Sequence, residues 1–118
     1  MGGNSVVLVV EDEPLVREII ALALRDAGCE VLEASTGEGA LTLLDNHGYR
    51  IHALFTDIEL GGLLSGWDVA DACRSAYPRM RIVYASGRGV DPSRVLSDSR
   101  YFRKPYSYTA VIHACALQ

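Results

Sequence analysis

No Cys-x-x-Cys pair, no cysteine–histidine cluster and no apolar run near the roughly 20 residues that span a bilayer occurs in the sequence. Its three cysteines, Cys29, Cys73 and Cys115, are odd in number and widely spaced. That argues against a disulfide framework or a zinc site and for small core residues in a reducing compartment. His47, His52 and His113 lack ligand spacing too. No basic run exceeds two residues and the formal charge is −4, so the cationic face that nucleic-acid binding needs is missing. The start, MGGNS, has neither the basic patch nor the apolar stretch of a signal peptide, and Gly2 and Gly3 read as a short flexible lead. Repeats and low-complexity segments are also absent. These absences leave one cytoplasmic domain over residues 1–118, without nucleic-acid or membrane contacts, large enough to bury about two-thirds of its surface.

What the chain does have is alternation. Ser5 to Val10 is a β-branched run that reads as a strand, and Pro14 suits the first turn of a helix. In that helix Leu15, Ile19, Leu22, Ala23 and Ala27 recur at helical spacing until Gly28. Residues 30–34 (EVLEA) alternate like a strand, and Gly37 to His47 predicts a short amphipathic helix carrying Ala40, Leu41, Leu43 and Leu44. Ile51 to Thr56 is a third apolar run that stops at Asp57, followed by a glycine-rich loop from Glu59 to Gly66. Trp67 to Tyr77 reads as a helix, Arg81 to Ala85 as a strand ending at Ser86 and Gly87, and Ser93 to Leu96 as two helical turns at most. Tyr101 and Phe102 open a fifth strand that ends at Lys104 and Pro105, and Tyr108 to Leu117 is the last helix. Strands separated by helix-length segments predict an α/β fold with a parallel sheet covered on both faces. A flavodoxin-like, doubly wound order, 2-1-3-4-5, fits five strands in this length.

In such sheets ligands bind beyond the carboxyl ends of the strands. Those ends carry Glu11 and Asp12, Asp57, Ser86 and Lys104. Like charges a few ångströms apart repel by roughly 4 kcal/mol per pair at an effective dielectric of about 20, so Glu11, Asp12 and Glu13 crowded at one strand end need a reason. Hard carboxylate oxygens suit Mg²⁺. A carboxylate beside that cation can attack phosphorus and form an acyl phosphate, with the Lys104 ammonium and the Ser86 hydroxyl available to phosphoryl oxygens. The plainer reading of Glu11 and Asp12, carboxylates favoured at a helix N-terminus by its dipole, leaves Asp57 and Lys104 unexplained.

The segments LVVEDEP, FTDIELGG, RIVYASG and YFRKPY, in this order and spacing, resemble the receiver domains of two-component response regulators. The resemblance covers essentially the whole chain. It implies that Asp57 accepts a phosphoryl group from a histidine kinase or phosphotransfer protein, with slow self-dephosphorylation and no other enzymatic activity. Glu11, Asp12, Asp57 and the backbone carbonyl of Glu59 would hold Mg²⁺. Ser86 would be the switch hydroxyl, Lys104 the phosphate-binding lysine and Tyr101 the aromatic that reorients on activation; the Lys104–Pro105 bond is cis in the family.

The departures from the family pattern carry expectations of their own. Gly61 stands where a proline is usual and two extra residues lie before Gly66, so the loop after Asp57 should be more mobile. The stretch from Ser86 to Lys104 is short, so of about five helices the fourth should be short or irregular. Glu59 and Arg88, two residues past Asp57 and Ser86, are expected to pair across the site entrance. An apolar last helix leaves partner contacts, including a homodimer, open, and the downstream partner is unidentified. Two rival readings are a phosphoaspartate phosphohydrolase, which needs Asp-x-Asp on its first strand, and a flavodoxin-like cofactor binder, whose phosphate Glu11, Asp12 and Glu13 would repel. A receiver fold working as an interaction module without phosphorylation is a third.

Overall fold

The computed structural model describes residues 5–116. The Gly2–Gly3 lead and Leu117 of the expected last helix lie outside the described residues. Strands β1 (Val6–Val10), β2 (Glu30–Ala34), β3 (Ala53–Asp57), β4 (Arg81–Ser86) and β5 (Ser99–Arg103) form one parallel sheet in the order β2-β1-β3-β4-β5. Between and after them come α1 (Pro14–Asp26), α2 (Gly37–His47), α3 (Gly66–Ala76) and α4 (Tyr108–Ala116), with a 3-10 turn at Gly48–Arg50. The flavodoxin-like order is the one the alternation of segments predicts.

Side chains alternate across a strand, and the two sides of this sheet each bury a cluster. Val6, Leu8 and Val10 join Leu54, Ile82 and Tyr84 beneath Ala40 and Leu44 of α2 and Val69, Ala70 and Cys73 of α3. Val7 and Val9 join Phe55, Val83 and Ala85 beneath Ile20, Ala21 and Leu24 of α1 and Val111, Ala114 and Cys115 of α4. All of β1 and β3 is buried, so each reads as an unbroken apolar run rather than an alternating one. The three cysteines are free and buried. Trp67 packs on Tyr84 with ring centroids 4.9 Å apart, and Tyr106 on Tyr108 at 5.6 Å. No helix among the described residues is long and apolar enough to cross a membrane.

Two elements are defined more closely by the structure than by the sequence. The first is the helical stripe of α1 that begins at Leu15, which lies outward: Leu15 is 72% exposed, Ile19 45% and Leu22 52%, while Ile20, Ala21 and Leu24 face the sheet. The helix is apolar on two stripes roughly half a turn apart at 3.6 residues per turn, so periodicity alone does not choose between them. The second is residues 87–98, where a short or irregular fourth helix is expected: they form turns only, with the Arg94 and Val95 N–H groups on the Asp91 carbonyl, leaving four α-helices among the described residues. Gly89 at φ +110° and Asp98 at φ 56° turn the backbone away from helical geometry. The segment is strapped to α3 instead. Arg94 pairs with Asp68 at 3.2 Å and Asp71 at 3.1 Å, and Arg74 donates to the Ser97 carbonyl at 2.7 Å.

The α1 assignment predicts a contrast. Leu24→Ala should cost about 2–5 kcal/mol in urea denaturation and Leu15→Ala less than about 0.5 kcal/mol. Equal losses would contradict the orientation of the helix.

Candidate functional site

The carboxyl ends of β1, β3, β4 and β5 meet at one edge of the sheet. Pairing of Val10 with Thr56 and of Asp57 with Ala85 sets the ends of β1, β3 and β4 level. Oxygens of Glu11, Asp12 and Asp57 there lie within 4.8 Å of one another. Glu11 is 1% exposed and Asp57 3%, whereas Asp12 faces solvent. Lys104, the only lysine in the sequence, donates from Nζ to Asp57 Oδ2 at 2.9 Å. Its backbone N–H donates to the Ser86 carbonyl at 2.9 Å, and the Lys104–Pro105 bond is cis.

Burial sets the electrostatics. It pushes the Glu11 carboxyl up from 4.5 to about 7, against the Glu13 N–H that donates to Oε2 at 3.0 Å and with the help of the Asp57 charge. Burial also raises Asp57, opposed by the hydrogen bond and charge of Lys104 and reinforced by the Glu59 charge. For Lys104 burial pulls downward, yet Asp57, then Glu11 and Glu59, leave its ammonium above the usual range. Glu11 Oε1 is buried with no hydrogen-bond partner. An orphaned carboxylate oxygen in a cluster of hard oxygens is the environment that a small divalent cation would satisfy, so the residues present fit Mg²⁺.

The loop after Asp57 is tied at both ends. Gly61 N–H donates to Asp12 Oδ2 at 3.3 Å, and Gly66 N–H to the Ile58 carbonyl at 2.9 Å. A Cβ on Gly66 would collide with the Asp57 carbonyl and come within 2.7 Å of Ile58 Cα, so only glycine lets α3 start this close to the site. Ser65 and Asp68 cap that helix reciprocally, Ser65 N–H to Asp68 Oδ2 at 2.8 Å and Asp68 N–H to Ser65 Oγ at 3.3 Å. The S-x-x-D spacing was a readable signal for this start; the close approach of Gly66 was not.

Ser86 is wholly buried and close to the cluster, but its partner is unexpected. Its hydroxyl donates to Glu59 Oε2 at 2.5 Å, and Gly87 N–H donates to Glu59 Oε1 at 3.3 Å. The expected ion pair of Glu59 with Arg88 does not form. The Glu59 carboxylate turns to two donors at the end of β4, and Arg88 approaches only through its backbone N–H, 3.0 Å from Ser86 Oγ. Glu59 also donates its own N–H to Asp57 Oδ1 at 3.3 Å. Tyr101 stays outside the polar cluster: it pairs in register with Tyr84 and packs against the cluster beneath α2 and α3, its hydroxyl buried without a partner.

This sheet gathers carboxylates and one lysine at its strand ends, the edge beyond which ligands of doubly wound folds bind. Comparison with known proteins gives the family. The sequence matches the family described as response regulator receiver domain over residues 7–109, and the chain belongs to that family, the receiver module of two-component systems. A response regulator receiver protein from Sinorhizobium medicae is 31% identical and superposes with a TM-score of 0.89 over 95% of this chain and 91% of its own. The probable transcriptional regulatory protein TcrX of Mycobacterium tuberculosis is 28% identical over 115 residues, 94% of this chain and 48% of that protein. The sensor kinase CckA of Brucella abortus is 29% identical over 91 residues, 77% of this chain and 10% of that protein. The chain thus spans about half or less of the length of these curated relatives.

Glu11 makes stability depend on pH. The folded protein keeps a proton there that the unfolded chain releases, so stability falls as pH rises between 4.5 and about 7. The contribution is up to about 3 kcal/mol. Metal-free protein should therefore be less stable to urea at pH 8 than at pH 5, and Glu11→Gln should flatten the difference. A wild type whose pH dependence Glu11→Gln leaves unchanged would contradict this.

Proposed function

We propose that the domain is a phosphorylation-dependent switch, in which Asp57 accepts a phosphoryl group from a histidine kinase or phosphotransfer protein. The observation that carries this reading is the setting of Asp57: a buried carboxylate at a strand end, 2.9 Å from a lysine and within 4.8 Å of two further carboxylates. Glu11, Asp12 and Asp57, with the Glu59 backbone carbonyl as a fourth oxygen, would hold Mg²⁺. Bound there, the cation would neutralise the charge that builds up as a carboxylate meets a phosphoryl group.

The chain's own residues divide the work. Lys104 opposes the burial that raises Asp57 and orients it through Oδ2. Asp57 attacks phosphorus; the new P–O bond forms as the P–N bond to the donor imidazole breaks and the nitrogen keeps the electron pair. The transferred oxygens then take the Lys104 ammonium and the Ser86 hydroxyl as partners. Slow attack of water on phosphorus returns the carboxylate and releases phosphate. The added charge, about −1.5 to −2, favours the arrangement in which the Ser86 hydroxyl bonds the phosphoryl oxygens and Tyr101 stays packed inward, shifting a two-state population. Docking of the donor is supported by the exposed Leu15, Ile19 and Leu22 on α1, an apolar surface that begins three residues after Asp12.

Incubation with a small phosphodonor and Mg²⁺, followed by intact mass, tests the assignment. Wild type should gain about 80 Da and Asp57→Asn should not. A wild type that gains nothing, or an Asp57→Asn variant that is still modified, would overturn it.

A further inference from the structure

The position of the Glu59 side chain has no part in the reading above. Its two carboxylate oxygens take the Ser86 hydroxyl and the Gly87 N–H, so one anionic group spans both donors at the end of β4. The Ser86 hydroxyl has a single proton and can donate to one acceptor at a time. A phosphoryl oxygen on Asp57 and the Glu59 carboxylate therefore compete for it. The Glu59 charge also reaches the rest of the site, acting on both Asp57 and Lys104.

Resting on the reading of Asp57 as phosphoacceptor, we propose that Glu59 is an internal latch: its carboxylate occupies the phosphoryl-oxygen donors, holds Ser86 drawn in, and must leave before phosphorylation is complete. A second observation accords with this. Tyr101 lies against the core, its hydroxyl buried, in the same structure in which the Glu59 carboxylate takes the Ser86 hydroxyl. The chain carries its own imperfect stand-in for the phosphoryl group. It offers one negative charge where a phosphoryl group offers about −1.5 to −2, and it is tethered to the backbone two residues from Asp57. Phosphorylation then exchanges one anion for another at Ser86, and Glu59 is released into solvent, where its new position distinguishes the two states.

The test compares wild type, Glu59→Ala and Glu59→Gln for binding of beryllofluoride with Mg²⁺, a mimic of the phosphoryl group, and records amide NMR signals of Ser86, Gly87 and Tyr101 without it. A latch closed nine times in ten weakens apparent affinity about tenfold, so Glu59→Ala should bind the mimic about tenfold more tightly and Glu59→Gln should fall between. Without the mimic, the Ser86 and Gly87 signals of Glu59→Ala should move away from those of wild type. Equal or weaker binding by Glu59→Ala, while wild type binds, would overturn the latch and leave Asp57 as phosphoacceptor. Absence of binding and of phosphorylation in every variant would overturn the phosphoacceptor reading, and the latch with it as a competitor of the phosphoryl group. Unchanged Ser86 and Gly87 signals in Glu59→Ala would overturn it in any case.

Discussion

Two carboxylates buried beside one ammonium are the constraint around which this molecule is arranged. Glu11 and Asp57 are almost wholly removed from water and Asp12 stands beside them, with the Lys104 ammonium bonded to the Asp57 carboxylate. Buried charges that are incompletely paired are costly, and Glu11 answers by holding its proton to about pH 7. Carboxylates this close repel one another, a stress that a divalent cation or an added proton relieves. A site built in this way is poised to respond to ligands, because their binding removes a cost that already exists.

The fold makes such a concentration affordable. A parallel sheet covered on both faces points every strand end at one edge, so the ends of four strands, β1, β3, β4 and β5, deliver Glu11, Asp12, Asp57, Ser86 and Lys104. The same edge is tied into the sheet by backbone bonds, such as that from Lys104 N–H to the Ser86 carbonyl. A change at Asp57 can thereby reach β4, β5 and the segment that joins them. That segment, strapped to α3 by Arg94 and Arg74 in place of a helix, joins the end of β4 at Ser86 to the face beside α3.

Much of this was legible in the sequence. The residues at the ends of β1, β3 and β4 follow from buried apolar runs that stop abruptly at polar residues, the strand order from five strands alternating with helices in this length, and Lys104 stands out further as the sole lysine. The loss of a helix between β4 and β5 was half visible, since Gly87, Gly89 and Pro92 disfavour one, but the Arg94 bridges to Asp68 and Asp71 depend on contacts distant in sequence. The orientation of α1 was hidden because both of its stripes are apolar. The turn of Glu59 towards Ser86 rather than Arg88 was hidden for a different reason. Side-chain direction in a loop is decided by the donors that the fold brings near, and here these were a buried hydroxyl and a backbone N–H.

A calorimetric titration with Mg²⁺ tests most directly whether the acidic edge exists to hold a cation. One saturable site is predicted in the wild type, lost in Asp12→Asn and in Glu11→Gln, and kept in Glu59→Ala, because alanine still offers the backbone carbonyl. Absence of saturable binding in the wild type, or equal affinity in Asp12→Asn and Glu11→Gln, would contradict the account.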